Sequence, residues 1–326
     1  MRGDDGDVGP RWFLPVRPQT LALLRVLVGG YGVAYVLARW GHLRSFEDRA
    51  AEQFDPVGVV GLVTDDPLPR PWITVLLVVV VAAGVAFAAG FGWRVSGPAF
   101  AVGLLVVTTY RNSWGQVLHT ENLAVLHSLV LAASPAAVVW SVDARRRRVT
   151  VDPAPSPRWG WAVRVMALVT VLTYFVAGVA KLRIAGWDWL AGDVLRSQVA
   201  HDNLRKHLLG DPSSFVGGWL AGVPWLWPPL SAVTLAVEMG APLALWGRRL
   251  ALVWSGMAWL FHWAVLGLMA ILFPYHLIGL GLLPVLASQG LVDDALAKLE
   301  TRAGRGRLRH ATVGSTAAQQ SGQVLE

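Results

Sequence analysis

Apolar residues in this chain come in long unbroken runs rather than in the strict alternation of half-buried strands. The clearest run, 75–89, is hydrophobic throughout except for Gly84. About 20 apolar residues are needed to cross the hydrocarbon of a bilayer as a helix. On that measure the pattern predicts eight membrane-spanning helices, at about 20–38, 72–91, 97–110, 122–140, 161–182, 228–246, 250–273 and 275–287. The third is short and is extended if Trp93 joins it; the third and eighth are the weakest, and seven spans is the alternative count. The expected fold class is therefore an all-α membrane protein, a multispan helical bundle. A cytoplasmic tail over 1–17 precedes a transmembrane domain over 18–288, and 289–326 forms a basic, Gly- and Ser-rich tail too polar to pack.

Between the fifth and sixth spans lies a segment too long to be a mere connector. Asp193 opens a helix that runs to about Leu209. After it come Phe215, Trp219, Pro224, Trp225 and Trp227, an interfacial or re-entrant stretch on the outer side. This stretch reads either as an aromatic belt or as a lid over an outward-facing cavity.

Composition agrees with the pattern. Hydrophobic residues make up 54% of the chain and charged residues 15%, against about a quarter charged in soluble domains. Cysteine is absent, which excludes disulfides, thiolate metal sites, iron–sulfur clusters and thiol redox relays. The net charge of +7 is almost all arginine, and in a membrane protein it reports topology before nucleic acid. Arg145, Arg146, Arg147, Arg148 and Arg158 lie between spans four and five, and Arg248 and Arg249 between six and seven. Lys298, Arg302, Arg305, Arg307 and Arg309 follow span eight. An even number of spans puts all three groups on one side, the cytoplasmic side, together with both termini. The acidic first loop, with Glu47, Asp48, Glu52, Asp55, Asp65 and Asp66, then faces outward along with the 181–227 segment. Arg25 interrupts the first apolar run and Asp4, Asp5 and Asp7 precede it, so that run reads as an uncleaved anchor in the plasma (inner) membrane rather than a signal peptide.

Ionisable residues inside apolar spans are costly and mark candidate sites. Arg25, Glu238 and His262 fall within spans; Glu121, Lys181 and His276 fall at their outer ends. Counting from the Arg248–Arg249 turn, Glu238 lies level with about Trp259, and His262 is roughly one helical turn further out. Glu238 and His262 are thus expected to meet directly or through one water, with Arg25 neutralising Glu238. Tyr174, Gly178 and Lys181, at i, i+4 and i+7, share one helix face, and Gly178 permits close helix approach. Lys181 reads either as a snorkelling anchor or as a functional amine; Arg164, at the other end of that helix, reads as an anchor. His119, Glu121 and His127 do not make the spacing of a zinc site, and no phosphate loop or serine elbow is present.

One stretch carries a resemblance. Tyr174-Phe175-Val176-Ala177-Gly178-Val179-Ala180-Lys181-Leu182, with Trp187 and Trp189-Leu190-Ala191-Gly192 after it, resembles the horizontally transferred transmembrane (HTTM) domain family. A relative of that family is the vitamin K-dependent gamma-carboxylase. Phe54-Asp55-Pro56-Val57-Gly58, Glu121-Asn122-Leu123, Glu238 ahead of Pro242, and Phe261-His262 with Phe273 are weaker matches, and the resemblance covers about 18–288. It implies that Lys181 is a base, with His262 and Glu238 as catalytic partners. It places Glu121, Tyr174, His276 and Trp187 around the substrate. The implied substrate is a lipid-soluble quinol, a reduced quinone such as vitamin K, or a small exported peptide. A lysine withdrawn from water offers a neutral amine, which suits that role. The carboxylase has a large soluble region after its membrane part, whereas this sequence ends soon after the last span, so carboxylation of a protein substrate does not carry over. Two readings stay open: a gamma-carboxylase-like enzyme or maturation factor, and a non-enzymatic accessory or transport-like protein whose Arg25, Glu238 and His262 form a structural or proton-relay network.

Overall fold

A computed structural model of the chain describes residues 14–148 and 150–302. Asp4, Asp5, Asp7, Arg305, Arg307, Arg309 and most of the tail lie outside the described residues. Every regular element among the described residues is helical, and the one β-type pairing is an isolated bridge between Val16 and Ser156.

Helices α1 (Pro18–Ala38), α2 (Trp72–Ala89), α3 (Trp93–Asn112) and α4 (Asn122–Ala132) build one half of the bundle. Pro18 opens α1 where a missing N–H costs nothing. Gly90, at φ +63°, ends α2 in the left-handed conformation that glycine adopts freely. Trp93 does extend the third run, because the carboxylate of Asp143 accepts the N–H groups of Gly92 at 3.0 Å and Trp93 at 2.9 Å and so caps α3 from outside the helix. A large core fills the space between these helices, with Leu21, Leu24, Val28, Leu77, Phe87, Phe100, Leu104 and Leu131 buried.

Helices α5 (Pro157–Ala185), α6 (Asp193–Leu209), α7 (Trp227–Met239) and α8 (Arg248–Met269) build the other half, joined by a short helix α9 (Leu283–Ala287). Ser156 caps α5 and Pro157 follows at its first position. A smaller core centred on Ala167, Val171, Tyr174, Val237, Ala251, Trp254, Ala258 and Val285 holds this half together. Helices α1, α2, α5 and α8 are long and apolar enough to cross a membrane.

Three expected spans are not continuous helices, and the sixth passes at Gly240 from α7 into a 3-10 helix over Ala241–Leu245. The fourth run stops at Ala132 and continues as turns, and the reason is Arg25, which is fully buried. An α-helix has already spent its carbonyls on its own ladder, so a buried guanidinium needs acceptors from broken backbone. Arg25 takes them from Ala136 (Nη1, 2.8 Å), Val139 (Nη1, 3.3 Å) and Trp140 (Nη2, 2.5 Å), and from Ala88 near the end of α2 (Nε, 3.2 Å). Gly90 lies against the same guanidinium, where a Cβ would come within 2.9 Å of Nη1. The eighth run is likewise a helical turn at Pro274–Leu277 and then α9, separated by Gly279 at φ +79°.

The outer segment forms α6 as expected. It packs by Asn203, which accepts from Ser214 N at 2.6 Å and donates to Leu268 O at 2.8 Å at the end of α8. Its aromatics divide: Phe215 (87% exposed), Trp219 and Trp225 face outward, while Trp189 and Trp227 are buried. Residues 291–302 are helical and clamp the opposite end of the bundle. There Asp293 accepts from Arg17 N at 3.0 Å, Glu300 pairs with Arg17 at 2.9 Å, and Asp294 pairs with Arg248.

Candidate functional site

A cavity of about 600 Å³ opens in the second half of the bundle, walled by α5, α6, α7, α8 and the 273–276 turn. Most of its wall is aliphatic or aromatic, and a few polar groups converge on it: Lys181, Glu238, Tyr174, His262, His276 and His119. Apolar walls with a few convergent polar groups are the usual form of a small-molecule site.

The helix face read from the sequence brings the first pair together. Gly178 lies against α7, where a Cβ would meet the Met239 sulfur at 2.9 Å and the Glu238 Cβ at 3.0 Å. That approach lets Lys181 Nζ, one turn further along α5, donate to Glu238 Oε1 at 2.5 Å. Lys181 Nζ also sits 5.3 Å from the centre of the buried Trp189 ring, a cation–π contact. Glu238 is almost fully buried, yet its second oxygen, Oε2, has no partner.

A second polar station lies two turns along α5. The Tyr174 hydroxyl is hydrogen-bonded to His262 Nε2 at 2.7 Å, with Trp254 edge-on to the Tyr174 ring at 5.0 Å. The His262 and His276 rings lie 4.2 Å apart, and Phe273 closes over His262 at 4.9 Å. Nδ1 of each imidazole is buried and unpartnered. Together with Glu238 Oε2, these atoms are spare hydrogen-bonding capacity on residues that wall one cavity, the condition in which a bound polar group is favoured. His119 reaches the cavity from the loop before α4; burial pushes its imidazole below the usual value, Glu121 opposes that shift and Lys181 adds to it. Among the described residues no group of three His, Cys, Asp or Glu side chains could hold a metal ion.

Other expected members are placed elsewhere. Glu121 does not line the cavity: it is buried against Arg111 at 2.7 Å, and Arg111 also reaches the Tyr35 hydroxyl at 2.6 Å. Trp187 is 78% exposed and faces outward. The turn Asp188–Ala191, set between Gly186 and Gly192 at positive φ, swings Trp189 inward instead. Arg25 does not meet Glu238; its donors are taken by the carbonyls of 88, 136, 139 and 140, and Glu238 pairs with Lys181. Glu238 and His262 do line one cavity, but the hydrogen-bond partner of each is on α5. Arg164 is buried rather than snorkelling, and donates to Leu245 O at 3.1 Å. His127 is a saturated core histidine held by the Tyr275 hydroxyl at 2.8 Å and Thr170 Oγ1 at 3.1 Å. His119 and Trp189 are the wall residues that the sequence left unassigned to the site. Their signal was present: each stands two residues from a residue that was chosen, His119 in an irregular loop and Trp189 in the single helical turn Asp188–Ala191, too short for a period of 3.6 to give a direction.

Residues 13–285 match the family model of the HTTM domain, so the match spans both halves of the bundle and the cavity between α5 and α8. The chain belongs to the HTTM family. HTTM is a membrane domain, and with four helices of spanning length and composition this HTTM protein is an integral membrane protein. No curated protein and no solved structure matches it.

Proposed function

We propose that this HTTM protein is a membrane-embedded enzyme that removes a proton from a lipid-soluble substrate, with Lys181 and Glu238 as the proton-handling couple. The observation that carries the reading is the 2.5 Å Lys181–Glu238 contact in the wall of an apolar cavity, with Glu238 Oε2 left over. In a dry site a neutral amine beside a neutral carboxylic acid competes with the ion pair, because both charges lose hydration. Passing its proton to Glu238 leaves Lys181 as a free amine. That amine then takes the proton of a substrate hydroxyl, giving an ammonium and a substrate oxyanion held beside it. Tyr174, His262 and His276 orient the far side of the substrate head. The resemblance to the carboxylase makes a reduced quinone the first substrate to try, with a small exported peptide as the partner class next to it.

The topology that accompanies this reading has eight passes counting broken segments, both termini cytoplasmic, in the plasma membrane, with 181–227 outside. Cysteines placed singly at positions 146 and 203 should be modified by an impermeant thiol reagent in intact cells only at 203. Modification at 146 alone reverses the orientation.

A structural reading draws on the same contact: Lys181–Glu238, next to Gly178, locks α5 to α7 and does no chemistry. Lys181→Arg separates the two. Arginine keeps the charge and the pairing but does not surrender its proton at accessible pH. The enzyme reading expects a folded Lys181→Arg protein in lipid nanodiscs that no longer consumes a reduced naphthoquinone which the unaltered protein consumes. Equal consumption by the two proteins, or none by either, removes Lys181 as the base.

A further inference from the structure

The cavity has a side window. Val233 on α7 and Met257 and Leu260 on α8 line its wall, yet they are 55%, 39% and 61% exposed on the outside of the bundle. A wall residue that is also an outer-surface residue marks the place where the wall is one side chain thick or open. Met257 and Leu260 stand roughly 13 to 18 Å along α8 from Arg248, at a rise of 1.5 Å per residue. Since α8 is long and apolar enough to cross a membrane, that depth is inside a hydrocarbon layer about 30 Å thick. The medium outside this window is therefore alkyl chain, not water. The rim is apolar, whereas the unpartnered Glu238 Oε2, His262 Nδ1 and His276 Nδ1 lie on polar groups that wall the same cavity.

We infer that the ligand of this cavity enters sideways from the bilayer through the window between α7 and α8, and that it is a single-chain amphiphile. Its polar head sits among Glu238, Lys181 and His262, while its apolar chain leaves past Val233, Met257 and Leu260 into the lipid. A second chamber of about 350 Å³, lined by Lys181, Trp189, Gln198 and Ile184, adjoins the cavity on its α5–α6 side and is the competing route. Gln198, which lines both chambers and is exposed on α6 beyond the end of the apolar run of α5, gives this second route its mouth at the outer surface. Lys181, Trp189 and Gln198 stand in the walls of both chambers, so the two routes lead to the same amine and differ in where they open.

The inference rests on the cavity being the substrate site, but its test needs no turnover. The protein is reconstituted in lipid nanodiscs with a long-chain phenol carrying a diazirine on its chain, irradiated, and digested for mass spectrometry. Adducts are expected in the α7 and α8 segments around the window and in the cavity-facing part of α5. Met257→Trp or Val233→Trp, each placing its bulk at an already exposed position, should lower the α5 adducts severalfold. Adducts on the lipid-facing Val78 and Val79 of α2 should stay unchanged. Loss of α5 adducts in Gln198→Trp but in neither window variant would show entry from the outer surface and overturn the inference. So would an absence of α5 adducts in the unaltered protein while α2 is labelled.

Discussion

Two buried cations in this bundle are handled in opposite ways. Arg25, in the first half, donates from all three guanidinium nitrogens to four backbone carbonyls, and the helix that supplies three of them is broken to do so. Lys181, in the second half, has one carboxylate partner, keeps 24% of its side chain exposed, and faces a void. The same contrast holds for the surroundings: a continuous large core around α1 to α4, and a smaller core beside a cavity around α5 to α8. A charge that is fully satisfied by backbone can only hold the fold together, because any change in its state breaks several bonds at once. A charge with one partner and an adjacent space can exchange a proton at little structural cost. The scaffold and the proposed site are thus distinguished by how many bonds each buried charge has, not by burial itself.

The strongest way to break that comparison is to neutralise one charge on each side. Arg25→Met keeps the apolar stem but strands the carbonyls of Ala88, Ala136, Val139 and Trp140. Each dry carbonyl costs roughly 1–3 kcal/mol, so loss of the folded state is expected. Glu238→Gln keeps an oxygen for Lys181, whose side chain is 24% exposed. A cost of about 1–2 kcal/mol is expected there, below the full penalty for a dry unpaired charge, together with loss of activity. Melting temperatures of the two variants in the same lipid nanodiscs decide it. If Glu238→Gln unfolds as readily as Arg25→Met, the Lys181–Glu238 pair belongs to the scaffold.

The Arg25 result also shows what was legible in the sequence and what was not. Periodicity within one helix was reliable: Tyr174, Gly178 and Lys181 do share a face, and that face meets the cavity and α7. Depth along a helix was enough to put Glu238 and His262 on one cavity, although they take partners seven residues apart on α5, Lys181 and Tyr174. Depth does not give azimuth, however, so equal height suggested Arg25 as the partner of Glu238 when Arg25 points instead to the 136–140 turns. Those turns were hidden because their residues, Ala136, Ala137, Val138 and Val139, are apolar enough to continue a span. A carbonyl used as an acceptor leaves no mark on residue type. The same blindness applies at Trp187 and Trp189, where backbone turns at Gly186 and Gly192, not hydrophobicity, decide which ring goes in.

A smaller effect sharpens the comparison at two glycines. At Gly97 in α3 a Cβ would sit 3.5 Å from Ala132 Cα, ordinary van der Waals contact. Gly97→Ala should therefore stabilise by up to about 1 kcal/mol through helix propensity. At Gly178 the same change meets Met239 Sδ, which can swing away, and Glu238 Cβ at 3.0 Å, which is fixed to its backbone. The expected outcome there is a loss of about 1–2 kcal/mol from overpacking, with α7 pushed back and Glu238 drawn off Lys181. Thermal melts give the stability sign, and photolabelling of α5 should change in Gly178→Ala but not in Gly97→Ala. Equal and silent behaviour at both positions would mean that α5 and α7 have slack that the cavity geometry does not use.

The smallest expected effect concerns the cap that ties the Arg25 turns to α3. Asp143 accepts from the Trp93 and Gly92 N–H groups, and its own N–H donates to Gly90 O at 3.1 Å, so it bridges the ends of α2 and α3 beside the carbonyls that accept from Arg25. The Trp93 N–H bond holds its carboxyl below the usual carboxylate value; burial opposes this, and the Gly92 N–H with Arg147 and Arg146 assists. A group whose folded value is depressed contributes its stability above the unfolded value, about 4 for an aspartate, and loses it as pH falls through the folded value. Asp143→Ala should therefore cost about 1 kcal/mol at pH 7, the usual worth of a cap. It should cost progressively less as the pH is lowered past the carboxylate range, where the unaltered protein has also lost the contact. Melting curves of the two proteins between neutral and strongly acidic pH should converge on the acid side. A gap that stays constant with pH would mean that the side chain acts at this joint by packing alone, and that its charge takes no part in fixing the turns Arg25 depends on.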